Sequence, residues 1–89
     1  MGGYSGHVEA VGFAGIKIQE LEDVILGHRS NLFREAQSLV QVAVGESPNS
    51  REGQRALEMT QILGDKLDQA MQACEEIKQA LNEYSAGWM

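Results

Sequence analysis

The side chains that could do chemistry in this sequence are few and far apart. His7 and His28 are the two imidazoles, Cys74 is the one thiol, and carboxylates gather at Glu20, Glu22 and Asp23 and again at Glu75 and Glu76. A structural zinc site needs cysteine and histidine ligands at short characteristic spacings, and none joins these residues. A carboxylate metal centre inside a helix bundle needs inward-facing acids and a Glu-x-x-His step, which does not occur. A nucleophilic thiol needs a basic neighbour to form the thiolate, whereas Cys74 falls between Ala70 and Ile77 in an apolar pattern, as a buried structural thiol would. There is no glycine-rich loop of the phosphate-cradling form. The expectation is a protein that is not an enzyme and holds no metal or cofactor, with both acidic patches forming solvated helix faces. His28 interrupts an apolar stripe, where an imidazole fixes pairing register more readily than it binds a ligand and would make that pairing pH-sensitive.

The bulk properties narrow the partner. The chain has 89 residues, 13 acidic and 7 basic, for a formal charge of -6. Affinity for nucleic acid comes largely from neutralising phosphates, and the dispersed Arg29, Arg34, Arg51, Arg55, Lys66 and Lys78 make no basic stripe, so nucleic acid is not expected. No apolar run approaches the roughly 18 residues that suggest a membrane span. No basic segment precedes an apolar one at the start, so export through a classical signal peptide is not expected either. One cysteine cannot form an internal disulfide, which fits a reducing compartment and a cytoplasmic location. A single domain this small has only a thin core of its own, and that favours a protein partner.

What must position any binding residue is a pair of long helices. Gly45 to Ser50 reads Gly-Glu-Ser-Pro-Asn-Ser near the midpoint and contains the chain's one proline. Gly45 is expected to end the first helix in a left-handed conformation, and Pro48 to open the second. The cap is then Ser47, or else Asn49 with Glu52 answering it three residues on. Before this break, Val11, Ala14, Ile18, Leu21, Ile25, His28, Leu32, Glu35, Leu39 and Val42 recur in steps of three and four, which puts them on one helix face. After it, Ala56, Met59, Leu63, Leu67, Ala70, Cys74, Ile77, Leu81 and Tyr84 do the same. Gly12, Gly15 and Gly27 inside the first stripe suggest close approach of a neighbouring helix, with a hinge at Gly27 as the alternative.

The predicted architecture is therefore all-α: an antiparallel helical hairpin over residues 8–86, between a flexible tail at 1–7 and a short tail at 87–89. The first stripe is wider than one partner helix needs, because Val24, Ala36, Val40 and Ala43 flank it and Phe33 and Val44 lie further round. That excess predicts pairing into a four-helix bundle, as a homodimer or with a different helical hairpin. The residues expected to carry the interaction are Val24, His28, Leu32, Ala36, Val40, Leu63, Leu67 and Met71, with Tyr84 and Trp88 as a terminal aromatic pair four residues apart.

With its two matched arms over residues 8 to 86, the chain resembles the WXG family of small type VII secretion substrates and the related helical partners of larger toxins. In that family a Trp-x-Gly tripeptide marks the turn, and here the place reads Ala43-Val44-Gly45, keeping the glycine. Exported members carry a tyrosine followed four positions later by an acidic residue, and here Tyr84 is followed by Trp88. The resemblance implies a divergent partner or chaperone-like member that pairs with a larger secreted protein, in the cytoplasm or exported by a non-classical bacterial secretion system. A weaker resemblance is to type III secretion needle subunits, whose turn carries Pro-x-x-Pro where this chain has Pro48 alone. A cytoplasmic helical adaptor is the third reading that an apolar helix face supports.

Overall fold

The structure, a computed structural model, describes residues 3–46 and 49–87. Among them all regular structure is helical: α1 spans Gly3–Ser30, α2 spans Leu32–Gly45 and α3 spans Arg51–Ala86. α1 and α2 make one bent arm, and α3 returns antiparallel along it. The register is constant: Val44 meets Gly53, Phe33 meets Gly64 and Arg29 meets Asp68, so equal steps along the two arms stay opposite one another. α1 begins at Gly3, within the stretch expected as tail, and the expectations for Ser47, Pro48 and Trp88 lie outside the described residues.

The first arm bends at Asn31, not at Gly27. Asn31 has φ -114° and ψ -72°, away from ideal helix. The backbone ladder nevertheless continues, since the Asn31 N–H donates to the Gly27 carbonyl at 3.1 Å and the Glu35 N–H donates to the Asn31 carbonyl at 3.0 Å. The Asn31 side-chain amide donates to the same Gly27 carbonyl at 3.0 Å. A short polar side chain that bonds back to the preceding turn competes with the ladder, and this is a recognised cause of bends. Gly12, Gly15 and Gly27 have no close neighbour, because a Cβ added at any of them would meet nothing within 4 Å.

The second helix starts one residue later than the Asn49 capping box would place it. Ser50, extended at φ -71° and ψ 129°, accepts a hydrogen bond at its Oγ from the Gly53 N–H at 3.1 Å. That serine cap contributes about 1 kcal/mol to the helix. Glu52 takes a hydrogen bond from the Ser50 hydroxyl at 3.3 Å instead of reaching back to a backbone donor. Gly45 ends α2 without a left-handed turn, since no described residue has positive φ.

The hairpin is long and thin. Its extents are 66 × 18 × 14 Å and its radius of gyration is 19.6 Å, against about 12 Å for a compact chain of this length. Among the described residues only Phe33 and Cys74 are buried apolar side chains, at 6% and 4% exposure.

The seam between the arms also differs from the expected one. Val11, Ile18 and Ile25 turn toward α3 as the spacing predicts. Further along, Glu22, Arg29 and Phe33 take the half-buried or buried places, while Leu21, His28 and Leu32, one residue before each, stay exposed. The reason lies across the seam. Gly64 leaves room for the Phe33 ring, Asp68 answers Arg29, and Lys78 answers Glu22. On α3, Leu67, Ala70, Cys74 and Leu81 face inward as predicted, whereas Met59, Leu63, Ile77 and Tyr84 are exposed.

Candidate docking face

The rotation of the seam by one residue leaves an apolar stripe uncovered. His28, Leu32, Phe33, Ala36, Leu63 and Leu67 line an open groove of about 270 Å³ on one side of the line where the arms meet. α2 brings Leu32, Phe33 and Ala36 to it and α3 brings Leu63 and Leu67, at matched distances from the turn. Leu32 is 59% exposed and Leu63 51%, so this surface is open in the single chain. By helical period the same flank runs on through Leu21, Val24, Leu39 and Val42 of the first arm and through Met59, Ile77 and Tyr84 of the second, all of them exposed. Soluble proteins rarely leave a continuous apolar strip of that extent facing water.

The residues expected to carry an interaction divide accordingly. His28, Leu32, Ala36, Leu63 and Leu67 come together in the groove, and Val24 and Tyr84 continue the flank. Val40 and Met71 sit half-buried in the seam, where they contribute to the hairpin itself. Trp88 lies outside the described residues. Phe33 had been placed well off the face, yet it is the groove's floor: its ring packs on Gly64, and the Arg29 guanidinium lies 4.7 Å from the ring centroid. Arg29 Nε also stands 3.2 Å from Asp68 Oδ1, so the arginine joins the arms while covering the phenylalanine.

A charged cluster braces the hairpin further from the turn. Lys78 Nζ lies 2.9 Å from Glu22 Oε1 and 2.6 Å from Glu75 Oε2, and it donates to Gln19 Oε1. Glu22 is thus no solvated carboxylate: its side chain is 16% exposed, and the Lys78 ammonium at 2.9 Å is what compensates its charge. Hydrogen bonds to Glu75 first and Glu22 second hold the Lys78 ammonium charged above the usual 10.5. The Lys78 hydrogen bond, then that of Glu22, holds Glu75 below the usual 4.5.

The signs of these shifts set a pH window. The raised lysine contributes fully below 10.5, and its contribution is lost as pH rises through the higher folded value; the lowered carboxylate contributes above 4.5 and is lost as pH falls through the lower folded value. The difference in urea midpoint between wild type and Lys78→Met should therefore be constant from about pH 5 to 10 and shrink on either side. A difference that does not change across that range and beyond it would show that the cluster adds nothing.

A second groove, of about 460 Å³, opens on the other side of the seam between the start of α1 and the end of α3, lined by Val8, Gly12, Ile16, Gln19, Lys78 and Asn82 among others. It is interrupted by the polar side chains of Gln19, Lys78, Asn82 and Ser85, whereas the groove through Leu32 has His28 as its one polar lining residue. Among the described residues no three histidine, cysteine or acidic side chains are grouped to hold a metal ion, and no helix is long and apolar enough to cross a membrane. Cys74 is a buried free thiol. Compared with known proteins, the chain matches no family model, no curated protein and no solved structure.

Proposed function

We propose that this protein is a non-enzymatic interaction module: a helical hairpin that presents its apolar flank to another helical hairpin and completes a four-helix bundle with it. The observation that carries this reading is the exposed strip from Leu21 through Leu32 to Leu39, lying beside Met59 and Leu63, on a hairpin with only two buried apolar side chains among the described residues. Burying such a strip against a second apolar face is the largest favourable free-energy change open to the molecule. The matched arms and the glycine at the turn further support a WXG-like role, as a helper or partner in a type VII secretion system that meets its partner in the cytoplasm.

The test is the mass of the protein isolated without denaturant from its native cells, measured by light scattering. The proposal requires a complex heavier than one 9.7 kDa chain. A single-chain mass at every concentration, with nothing bound, would rule it out.

A further inference from the structure

The apolar stripes of the two arms are mirror images about the turn. Ile18 and Ile77, Leu32 and Leu63, and Leu39 and Ala56 each stand equally far from the midpoint between Ser47 and Pro48. The pairs that meet in the structure, Phe33 with Gly64, Arg29 with Asp68 and Val44 with Gly53, are instead centred one position later, between Pro48 and Asn49. Two antiparallel registers therefore lie two residues apart, about 3 Å along the helix axis. Val11, Ile18 and Ile25 are half-buried in the observed register and belong to the mirrored one too, so a short slide and a partial roll of the arms separate the two.

The mirrored seam would bury more apolar surface, since Leu32, Leu39 and Ile77, exposed at 59%, 63% and 43%, would all turn inward. Two of its layers oppose it. His28 would fall opposite Leu67, and Glu35 opposite Thr60. The Thr60 hydroxyl already donates to the Ala56 carbonyl at 2.7 Å, so it has no proton for a carboxylate. No lysine or arginine stands three or four residues from Glu35 on its own arm, and Arg55 and Lys66, the nearest along α3, are each more than one turn from Thr60. A carboxylate shut into that layer would have neither donor nor counter-charge, which is strongly unfavourable. In the observed seam His28 and Glu35 are exposed, and the charges that do turn inward are answered, Glu22 by Lys78 at 2.9 Å and Arg29 by Asp68 at 3.2 Å.

We infer that His28 and Glu35 are the residues that keep the docking flank open: they hold the hairpin out of a second, otherwise apolar seam in which the flank would close on itself. Neither side chain packs in the observed seam, so what they contribute is the exclusion of the other one. The consequence for docking rests on the proposed reading of the flank, whereas the second seam does not.

The test is the full chain carrying His28→Leu and Glu35→Leu, studied by hydroxyl-radical footprinting and sedimentation together, at concentrations where it is a single chain. With one seam only, two leucines added to the exposed side would extend the apolar flank, leaving Leu39 and Ile77 reactive and association tighter. The inference predicts the reverse. In the single chain Leu39 and Ile77 lose their reactivity, Phe33, 6% exposed in the wild type, gains it, and any association is weaker than the wild type's. An unchanged footprint would overturn the inference, as would protection that comes only with a heavier mass. Loss of helix would overturn it as well, because both positions are exposed in the hairpin and leucine is at least as good a helix former as the residues it replaces. The single-chain footprint decides the second seam whether or not the wild type assembles, so the seam and the docking face stand or fall separately.

Discussion

Replacing both Leu32 and Leu63 with lysine should abolish assembly. Both side chains line the groove from opposite arms and are more than half exposed in the single hairpin, so the substitutions remove little from the hairpin's own packing. In the assembled state each leucine would contribute about 1.5 to 3 kcal/mol by burial, and each lysine would instead bring an unpaired charge into the interface. The combined loss is at least about 4 kcal/mol, or about a thousandfold in association constant. Sedimentation mass is the readout, because a hairpin with so small a core can lose helix once its partner is gone. Gln61→Lys with Gln72→Lys, on the polar face of α3, is the control and should associate as wild type does. Equal association by the flank variant and wild type would place the interface elsewhere.

Phe33→Ala should be the most damaging single truncation within the hairpin. Phe33 is 6% exposed, rests on Gly64 and lies under Arg29, so its loss opens the seam where it is best packed. Buried phenylalanines cost about 3 to 5 kcal/mol to truncate, and a thin seam that can partly collapse belongs at about 3. For a domain of this size that lowers the melting temperature by more than about 10 °C. Gly64→Val should do comparable harm from the other side, because even the first added carbon would stand 3.0 Å from the ring. In a Phe33→Leu background, Gly64→Ala should become favourable, as relief of the clash leaves the gain of about 1 kcal/mol in helix propensity. Additive effects of the Phe33 and Gly64 substitutions would show that the two do not pack as described.

The hairpin could be read from the sequence because a long stripe in steps of three and four reports a helix wherever it occurs, and the glycine, proline and serine cluster near the midpoint reports the break. The seam could not be read so directly. Two tracks one residue apart compete for it, one through Leu21, His28 and Leu32 and the other through Glu22, Arg29 and Phe33. Apolar content favours the first track. The second takes the seam because of what stands opposite, namely Gly64, Asp68 and Lys78, which is information held in the other arm. A usable signal existed: Arg29 with Asp68 and Phe33 with Gly64 keep a common distance from the turn, as opposed charges and a large-small pair should in a hairpin. Gly27 suggests close approach of a neighbour or, alternatively, a hinge, and the structure shows neither there: a Cβ at Gly27 would meet nothing within 4 Å, and the bend comes from Asn31 with the side chain it has. Of the expected interaction residues, His28, Leu32 and Leu63 belong to the stripes read as the inner seam and face outward, and with Ala36 and Leu67 they line the groove.

The measurement that bears most directly on the docking flank is hydroxyl-radical footprinting of the full chain below and above its assembly concentration. Leu32, Leu39 and Met59, which are 59%, 63% and 50% exposed in the single hairpin, should become protected on assembly. Ile16 and Leu26, comparably exposed at 55% and 52% but on the other side of the first arm, should keep their reactivity. Protection of Ile16 and Leu26 with Leu32, Leu39 and Met59 still reactive would contradict the assignment of this flank as the docking face.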